Sequence, residues 1–459
     1  MKKLLLIVIL CCSVTFTAFA QDSLIYSKKQ VADDIRYLFK NAADIHPNLY
    51  HDISAAKLTR KVDLLIGKLP ERLSLLSAYG AFARATAFVN EGHTSLDIPA
   101  PIRKAMRAGA FRGIPLQVLS YDDNCFDANL ILPHGRVKNV KVCSINGQAS
   151  SRILARMMAL KGDLASFRKV VALGNFRFFL SVIGINQPYA IAYKQADNVS
   201  GIATVSSISE KEYNDALVKK PQNDPYTLTI TDDKYAYFNF RAMADNDRFC
   251  HFCDSVFKVL DERKIGKLVV DLRENGGGNS GLGYCLLDYI TDKPYRMAGD
   301  SKRKVSQQFK DYLTANKDLY GDNYNDYLKL PVGTFMPLGS GDLTKPESKE
   351  HKFKGKVCCL IGPYTFSSAN MLAATVKDYK LFTLIGEPTG EAANHYGELC
   401  TIKLPNTGLV AFTSTTMWGR PNGDASDKGA IAPDYPVKTE SGAGDNVLEY
   451  AVKWLDSQK

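Results

Sequence analysis

From Tyr226 onward the chain alternates short apolar runs with stretches of helical periodicity, and that alternation narrows the folds open to it. Strands are expected at 235–240, 267–272, 356–361 and 381–385, with helices at 247–263, 281–291 and 368–376. Neighbouring parallel strands need a crossover, and helices at these places supply it, so the order predicts an α/β domain with a largely parallel sheet. The domain is set at 226–459, interrupted by a polar, tyrosine-rich insertion near 300–350.

The upstream half reads differently. Val31, Ile35, Leu38, Phe39 and Ala42 form one helical stripe and Val62, Leu65, Ile66 and Leu69 another, which predicts a helical domain over 21–98. A third helical stretch, 75–89, stops at Glu91-Gly92, and Thr94, Leu96 and Ile98 then alternate as in a strand. His93 therefore falls on a helix-to-strand corner. Residues 99–225 mix strand-like pieces with polar breaks and are read as a β-rich middle domain. Met1-Lys2-Lys3, an apolar run to Leu10 and the small-residue site Ala18-Phe19-Ala20 read as a cleaved export signal over 1–20, which predicts a periplasmic or secreted protein. No later apolar run reaches the roughly 18 residues a membrane span requires.

Composition excludes further classes. Hydrophobic residues at 45% and charged residues at 23% of 459 are those of a globular chain, not a disordered one. The net charge of +10 includes Lys2 and Lys3 of the leader, and acids and bases are interspersed along the rest, so nucleic-acid binding is not expected. Ten cysteines, two of them the leader's Cys11 and Cys12, are too sparse for a disulfide scaffold. Cys250-His251-Phe252-Cys253 has half the spacing of a zinc site but lacks a matching second pair, and Phe249, Phe252, Cys253, Val256, Phe257 and Leu260 at helical spacing predict a buried helix face instead. No metal or cofactor is implied.

Two strand-to-helix junctions could carry chemistry, since ligands gather at the carboxyl ends of parallel strands. The first reads Glu274-Asn275-Gly276-Gly277-Gly278-Asn279, where consecutive glycines can present bare N–H groups to an anion. The second reads Thr365-Phe366-Ser367-Ser368-Ala369-Asn370 and sets a serine pair at a helix start, where a nucleophile's Oγ can be exposed. Plain alternatives exist: a turn for the glycines and an N-cap for the serines. Gly276, Gly278 and Gly281 also fit a dinucleotide fingerprint, although the acidic residue it requires is not convincingly placed.

Taken in order, the block from Asp271 to Gly278, the Ser367-Ser368 block, Gly386-Glu387-Pro388-Thr389-Gly390 and Gly429-Ala430-Ile431-Ala432-Pro433-Asp434 resemble the signature blocks of the C-terminal processing, or tail-specific, serine peptidases. The resemblance implies a crotonase-like ββα superhelix with Ser367 at the nucleophile position, and an oxyanion hole from the Ser368 and Gly277 N–H groups. Where the tail-specific branch has its lysine, this chain has Glu391, Ala392 and Ala393, so the Ser-Lys dyad is absent. A serine hydroxyl needs a base. Glu91-Gly92-His93-Thr94 resembles the block of the histidine-using, tricorn-like branch and makes His93 that base, with His395 as competitor. The same resemblance sets Asp427 as the third member. Val140 to Gly147 is similar to the strand ending of PDZ-like modules, which makes the middle domain PDZ-like, with a hairpin through Asn146-Gly147 as the alternative.

The expectation is an exported serine peptidase that cleaves peptides or proteins through an acyl-enzyme. Its rivals are a non-catalytic peptide- or apolar-ligand-binding protein on the same fold, with Ser367 and His93 far apart, and a nucleotide-binding enzyme built on the glycine loop. The sequence sets no oligomeric state.

Overall fold

Leu268, Val269 and Val270 are all fully buried, so the strand Lys267–Asp271 that carries them must be covered on both faces. It is central in a six-stranded sheet ordered Tyr226–Thr231, Tyr235–Phe240, Lys267–Asp271, Lys356–Ile361, Thr383–Gly386, Tyr435–Pro436. The first pair is antiparallel and every later pair parallel. Leu268 and Val270 point to one face, where helices Asn246–Glu262, Gly281–Ile290 and Ser368–Tyr379 supply Phe249, Leu286 and Leu372. Val269 points to the other, against Val447, Ala451 and Leu455 of helix Asn446–Ser457. Each buried leucine of this kind contributes about 2 kcal/mol.

This computed structural model describes residues 24–458 apart from 133–136, 196–198, 218–223, 233, 321–323, 340–342 and 441–443; the expected leader, 1–20, lies outside them. The chain is a mixed α/β protein, and its parallel order follows the alternation of the sequence. Residues 300–350, expected as an irregular insertion, instead build an edge of a second sheet. Strand Ser301–Lys304 pairs with Phe335–Gly339 on one side and with Val410–Trp418 on the other, and Phe309, Leu313 and Tyr327 are buried beneath it. Strand His395–Lys403 flanks Val410–Trp418, and the two-residue strand Ser95–Leu96 joins the same strand through Leu96↔Ala411 and Ser95↔Phe412.

The first helix, Lys28–Ile45, starts at a capping box in which Ser27 and Gln30 exchange hydrogen bonds of 3.2 and 2.9 Å. Helix Leu75–Ala87 is apolar almost all round, with Ala78, Tyr79, Ala81, Phe82, Ala83 and Ala85 buried. Such a helix must sit inside a core. It does so by joining helix Lys28–Ile45, helix Phe176–Val182 and the second sheet in one continuous apolar cluster. The middle of the chain is an antiparallel sheet ordered Ser200–Val205, Tyr189–Lys194, Val137–Ile145, Cys125–Ile131, Leu116–Asp122, clipped by a Cys125–Cys143 disulfide between adjacent strands.

One buried carboxylate fastens the first helix to the second sheet. Asp34 accepts from Asn406 N and Nδ2 at 3.0 and 2.8 Å and from Thr407 N and Oγ1 at 2.8 and 2.7 Å, in the turn between His395–Lys403 and Val410–Trp418. Asp34→Ala strands these donors and should cost about 3 kcal/mol, read as a lower urea midpoint. The neighbouring surface change Asp33→Ala should stay within about 0.5 kcal/mol, and equal effects of the two would contradict the fastening role.

Candidate active site

Ser367 ends the turn between strand Lys356–Ile361 and helix Ser368–Tyr379 with φ 53° and ψ −127°, a backbone state that side-chain-bearing residues rarely adopt. Such a state costs about 1–3 kcal/mol and persists only when its surroundings enforce it. Here the enforcement is local. Ser367 N–H donates to Glu391 Oε2 at 2.8 Å, Phe366 N–H to Asn275 O at 3.1 Å, and Thr365 Oγ1 to Leu272 O at 2.8 Å. The last two bonds bind the serine junction to the glycine junction. Gly277, at φ +95°, lies so close that an added Cβ would sit 2.7 Å from the Ser367 Cβ.

The Ser367 Oγ lies 3.0 Å from His93 Nε2. His93 comes from the loop after helix Leu75–Ala87, where Asn90 turns the chain at φ +58°. Buried Glu91 then shapes that loop as a capping carboxylate would. Its Oε1 accepts from His93 N at 2.6 Å and its Oε2 from Thr94 N at 2.7 Å. The His93 ring is 10% exposed, and its Nδ1 lies 3.3 Å from both Glu91 Oε1 and Glu391 Oε1.

These charges govern the imidazole. Burial disfavours its protonated form, but the Glu391 carboxylate, followed by Glu91, outweighs burial and lifts the His93 pKa to about 10. Burial likewise opposes the charge on Glu91, yet hydrogen bonding and positive charge from His46 and His93 hold it well below the usual carboxylate range. Asp163 is driven up to about 7 by burial and then by the Glu391 charge.

Of the residues expected from sequence, Ser367, His93, Ser368 and Gly277 are brought together and Asp427 is not. Asp427 is held away by Arg420, which clamps it alongside Asp378, and its Oδ1 accepts from Gly429 N at 2.8 Å. The place beside Nδ1 belongs to Glu391 and Glu91. Gly277 needs a second correction, because its N–H already donates to Asn275 Oδ1 at 2.9 Å. The Gly278 N–H, by contrast, has no acceptor among the described residues. It is joined by the Ser368 N–H in the first turn of its helix, whose Oγ donates to Gly278 O at 2.6 Å. His395 is buried, with Nδ1 3.2 Å from Ala393 O and its ring 6.5 Å from that of His93. Among the described residues no group of three or more His, Cys, Asp or Glu side chains is arranged to hold a metal ion.

Glu391 was missed in sequence because it lies in a non-periodic stretch and registered only as the absence of a lysine. A signal was present: an acidic residue immediately after a Pro-Thr-Gly turn and before Ala392-Ala393.

Removing the Glu391 charge should lower the His93 pKa from about 10 toward the ordinary value near 6.5. An NMR titration of ¹⁵N-histidine-labelled Glu391→Gln should show it, and an unchanged or higher pKa would contradict this electrostatic account.

Residues 234–437 match the family model of peptidase family S41. Among solved structures, a CPAF mutant superposes with a TM-score of 0.68 at 13% identity, covering 94% of this chain and 96% of that one. Mature CPAF complexed with lactacystin gives 0.64 at 14%, covering 94% and 97%. At these identities the likeness is one of fold, and it extends over almost the whole of both chains.

Proposed function

The chain belongs to peptidase family S41 through residues 234–437 and is a serine-type peptidase, and from that premise we propose that Ser367 is its nucleophile, His93 its base and Glu391 the group that orients the base. The observation that carries the reading is the 3.0 Å approach of His93 Nε2 to Ser367 Oγ. It also weighs against a non-catalytic binding protein, for which the two would lie apart.

In this mechanism His93 Nε2 takes the hydroxyl proton as Ser367 Oγ attacks the scissile carbonyl carbon. The carbonyl oxygen becomes an oxyanion received by the Gly278 and Ser368 N–H groups, which point at developing charge without reorganising. His93 passes its proton to the leaving amine, and the C–N bond breaks to leave an acyl-enzyme. A water then gives a proton to His93 and its oxygen to the acyl carbon, which releases the carboxylic acid and restores Ser367. Glu391 and Glu91 stabilise the imidazolium formed twice in each cycle.

The same reading takes 1–20 as an export leader and places the enzyme in the periplasm or outside the cell; the Cys125–Cys143 bridge supports an oxidising compartment. It takes the catalytic half as a crotonase-like superhelix and the middle sheet as PDZ-like. The substrate is a peptide or protein.

A fluorophosphonate probe should label the wild type and neither Ser367→Ala nor His93→Ala, while Asp427→Asn should label normally. Peptide hydrolysis by His93→Ala should fall by about 10³. Well-folded wild type that resists the probe and cleaves no peptide would overturn the proposal. The base must be neutral, so kcat/KM should rise with pH as His93 loses its proton. Glu391→Gln should move that limb to lower pH while lowering the rate on the plateau, and a limb that stays in place would exclude His93 as its source.

A further inference from the structure

Helices Ser150–Met158 and Ala165–Gly174 of the middle module are joined by a short loop whose residues reach the active site. Asp163, at φ +92°, accepts from Gly92 N at 3.0 Å through Oδ2, while its Oδ1 accepts from Leu164 N at 2.8 Å. Lys161 Nζ donates to the carbonyl of the same Gly92. One residue is thus gripped at both its N–H and its C=O. The fit leaves no room for a side chain, since a Cβ on Gly92 would lie 2.6 Å from Phe366 Cζ and 2.8 Å from Asp163 Oδ2.

Phe167, in the first turn of the next helix, extends the contact. Its ring stacks on Phe366 with centroids 4.1 Å apart and planes within 9°. Its Cδ2 is 3.0 Å from where a Cβ on Gly390 would stand. Gly92, Phe366 and Gly390 are the residues immediately before His93, Ser367 and Glu391. A single segment of the middle module therefore braces the residue preceding each member of the triad.

The charges at this brace are not those of a surface loop. Lys161 is the cation among Glu91, Asp163 and Glu391, and burial depresses its pKa against their pull. Burying an ammonium beside three carboxylates is costly. What they fix is the direction of the Gly92 peptide, from which the His93 ring departs.

We propose that Lys161, Asp163 and Phe167 are positioning residues, which hold His93, Ser367 and Glu391 in register by gripping the residue before each. This rests on the peptidase reading above for its effect on rate, though not for the contact itself. The three do not touch substrate, so their loss should lower kcat and leave KM unchanged. A misplacement of about 1 Å in a reacting group can cost about 100-fold.

The test uses the full chain. Asp163→Ala and Lys161→Met should each lower kcat for peptide hydrolysis between 10- and 100-fold at constant KM, with little change in melting temperature. Asp163→Asn, which keeps a carbonyl acceptor for Gly92, should recover most of the loss. Hydrogen exchange reports the contact without reference to catalysis: the Gly92 amide should exchange at least tenfold faster in Asp163→Ala and be protected again in Asp163→Asn. Unchanged kcat in both loss variants, or a fall that appears in KM, would overturn the positioning role. So would Gly92 exchange that ignores Asp163. If the wild type cleaves no peptide, the peptidase reading has failed, and Gly92 exchange still decides the grip. Should Asp163→Ala not fold, Lys161→Met against Lys161→Arg applies the same kcat and KM criteria.

Discussion

The arrangement at Ser367 depends on a very short piece of β-pairing. Ser95 and Leu96 add to the edge of strand Val410–Trp418, Asp97 N–H donates to Val410 O at 3.0 Å, and Thr94 Oγ1 meets Thr413 Oγ1 at 3.1 Å. These few bonds carry the end of the first, mostly helical stretch of the chain to within hydrogen-bonding reach of a serine 274 residues later. Val410–Trp418 can accept them because it is already fixed between His395–Lys403 and Ser301–Lys304. Asp34 ties the far end of the same hairpin to the first helix. The second sheet is thus the frame on which the parts of the site are aligned.

Two groups of buried charge show how different their purposes can be. Arg273 is bidentate to Asp271 and Asp445, 2.6 Å from each at the closest, and so ties the end of a central strand to the N-cap of the last helix. Its opposite charges are satisfied, and it is a fastening. Around His93 the balance is uneven, with two carboxylates converging on one ring nitrogen that can give a hydrogen bond to only one of them. An excess of negative charge there favours the imidazolium over the imidazole. That is poor design for a resting base and good design for stabilising the positive charge that appears on the ring during proton transfer.

What could be read in the sequence was what local pattern encodes. The parallel strands and their helices were visible because apolar runs and helical stripes alternate over short distances, and Ser367 was visible because its serine pair, which alone would read as an ordinary N-cap, stands in order with the glycine block, the Gly-Glu-Pro-Thr-Gly block and the Gly…Pro-Asp block. His93 was found through its Gly-His-Thr neighbourhood. Asp427 was chosen for its place before a Gly…Pro-Asp block, but position along the chain carries no information about Arg420, which holds it aside. Glu391, Lys161 and Asp163 act through partners dozens to hundreds of residues away, and their own neighbourhoods are not periodic. The second sheet was hidden for the same reason: Ser301–Lys304 finds its partner more than a hundred residues downstream, so the segment read as an insertion.

The order of the parts along the chain has a consequence for the life of the molecule. During synthesis the histidine loop emerges first, the brace from the middle module next, and Ser367 and Glu391 only near the end. Nothing reactive can be assembled until the frame that unites them has closed, and the frame includes strand Val410–Trp418, later than all of them. On the proposed mechanism a nascent or partly unfolded copy is harmless to its neighbours, and the 234–437 segment alone is a nucleophile without a base. On that reading the finished fold is itself the safeguard, because proteolytic activity cannot precede it.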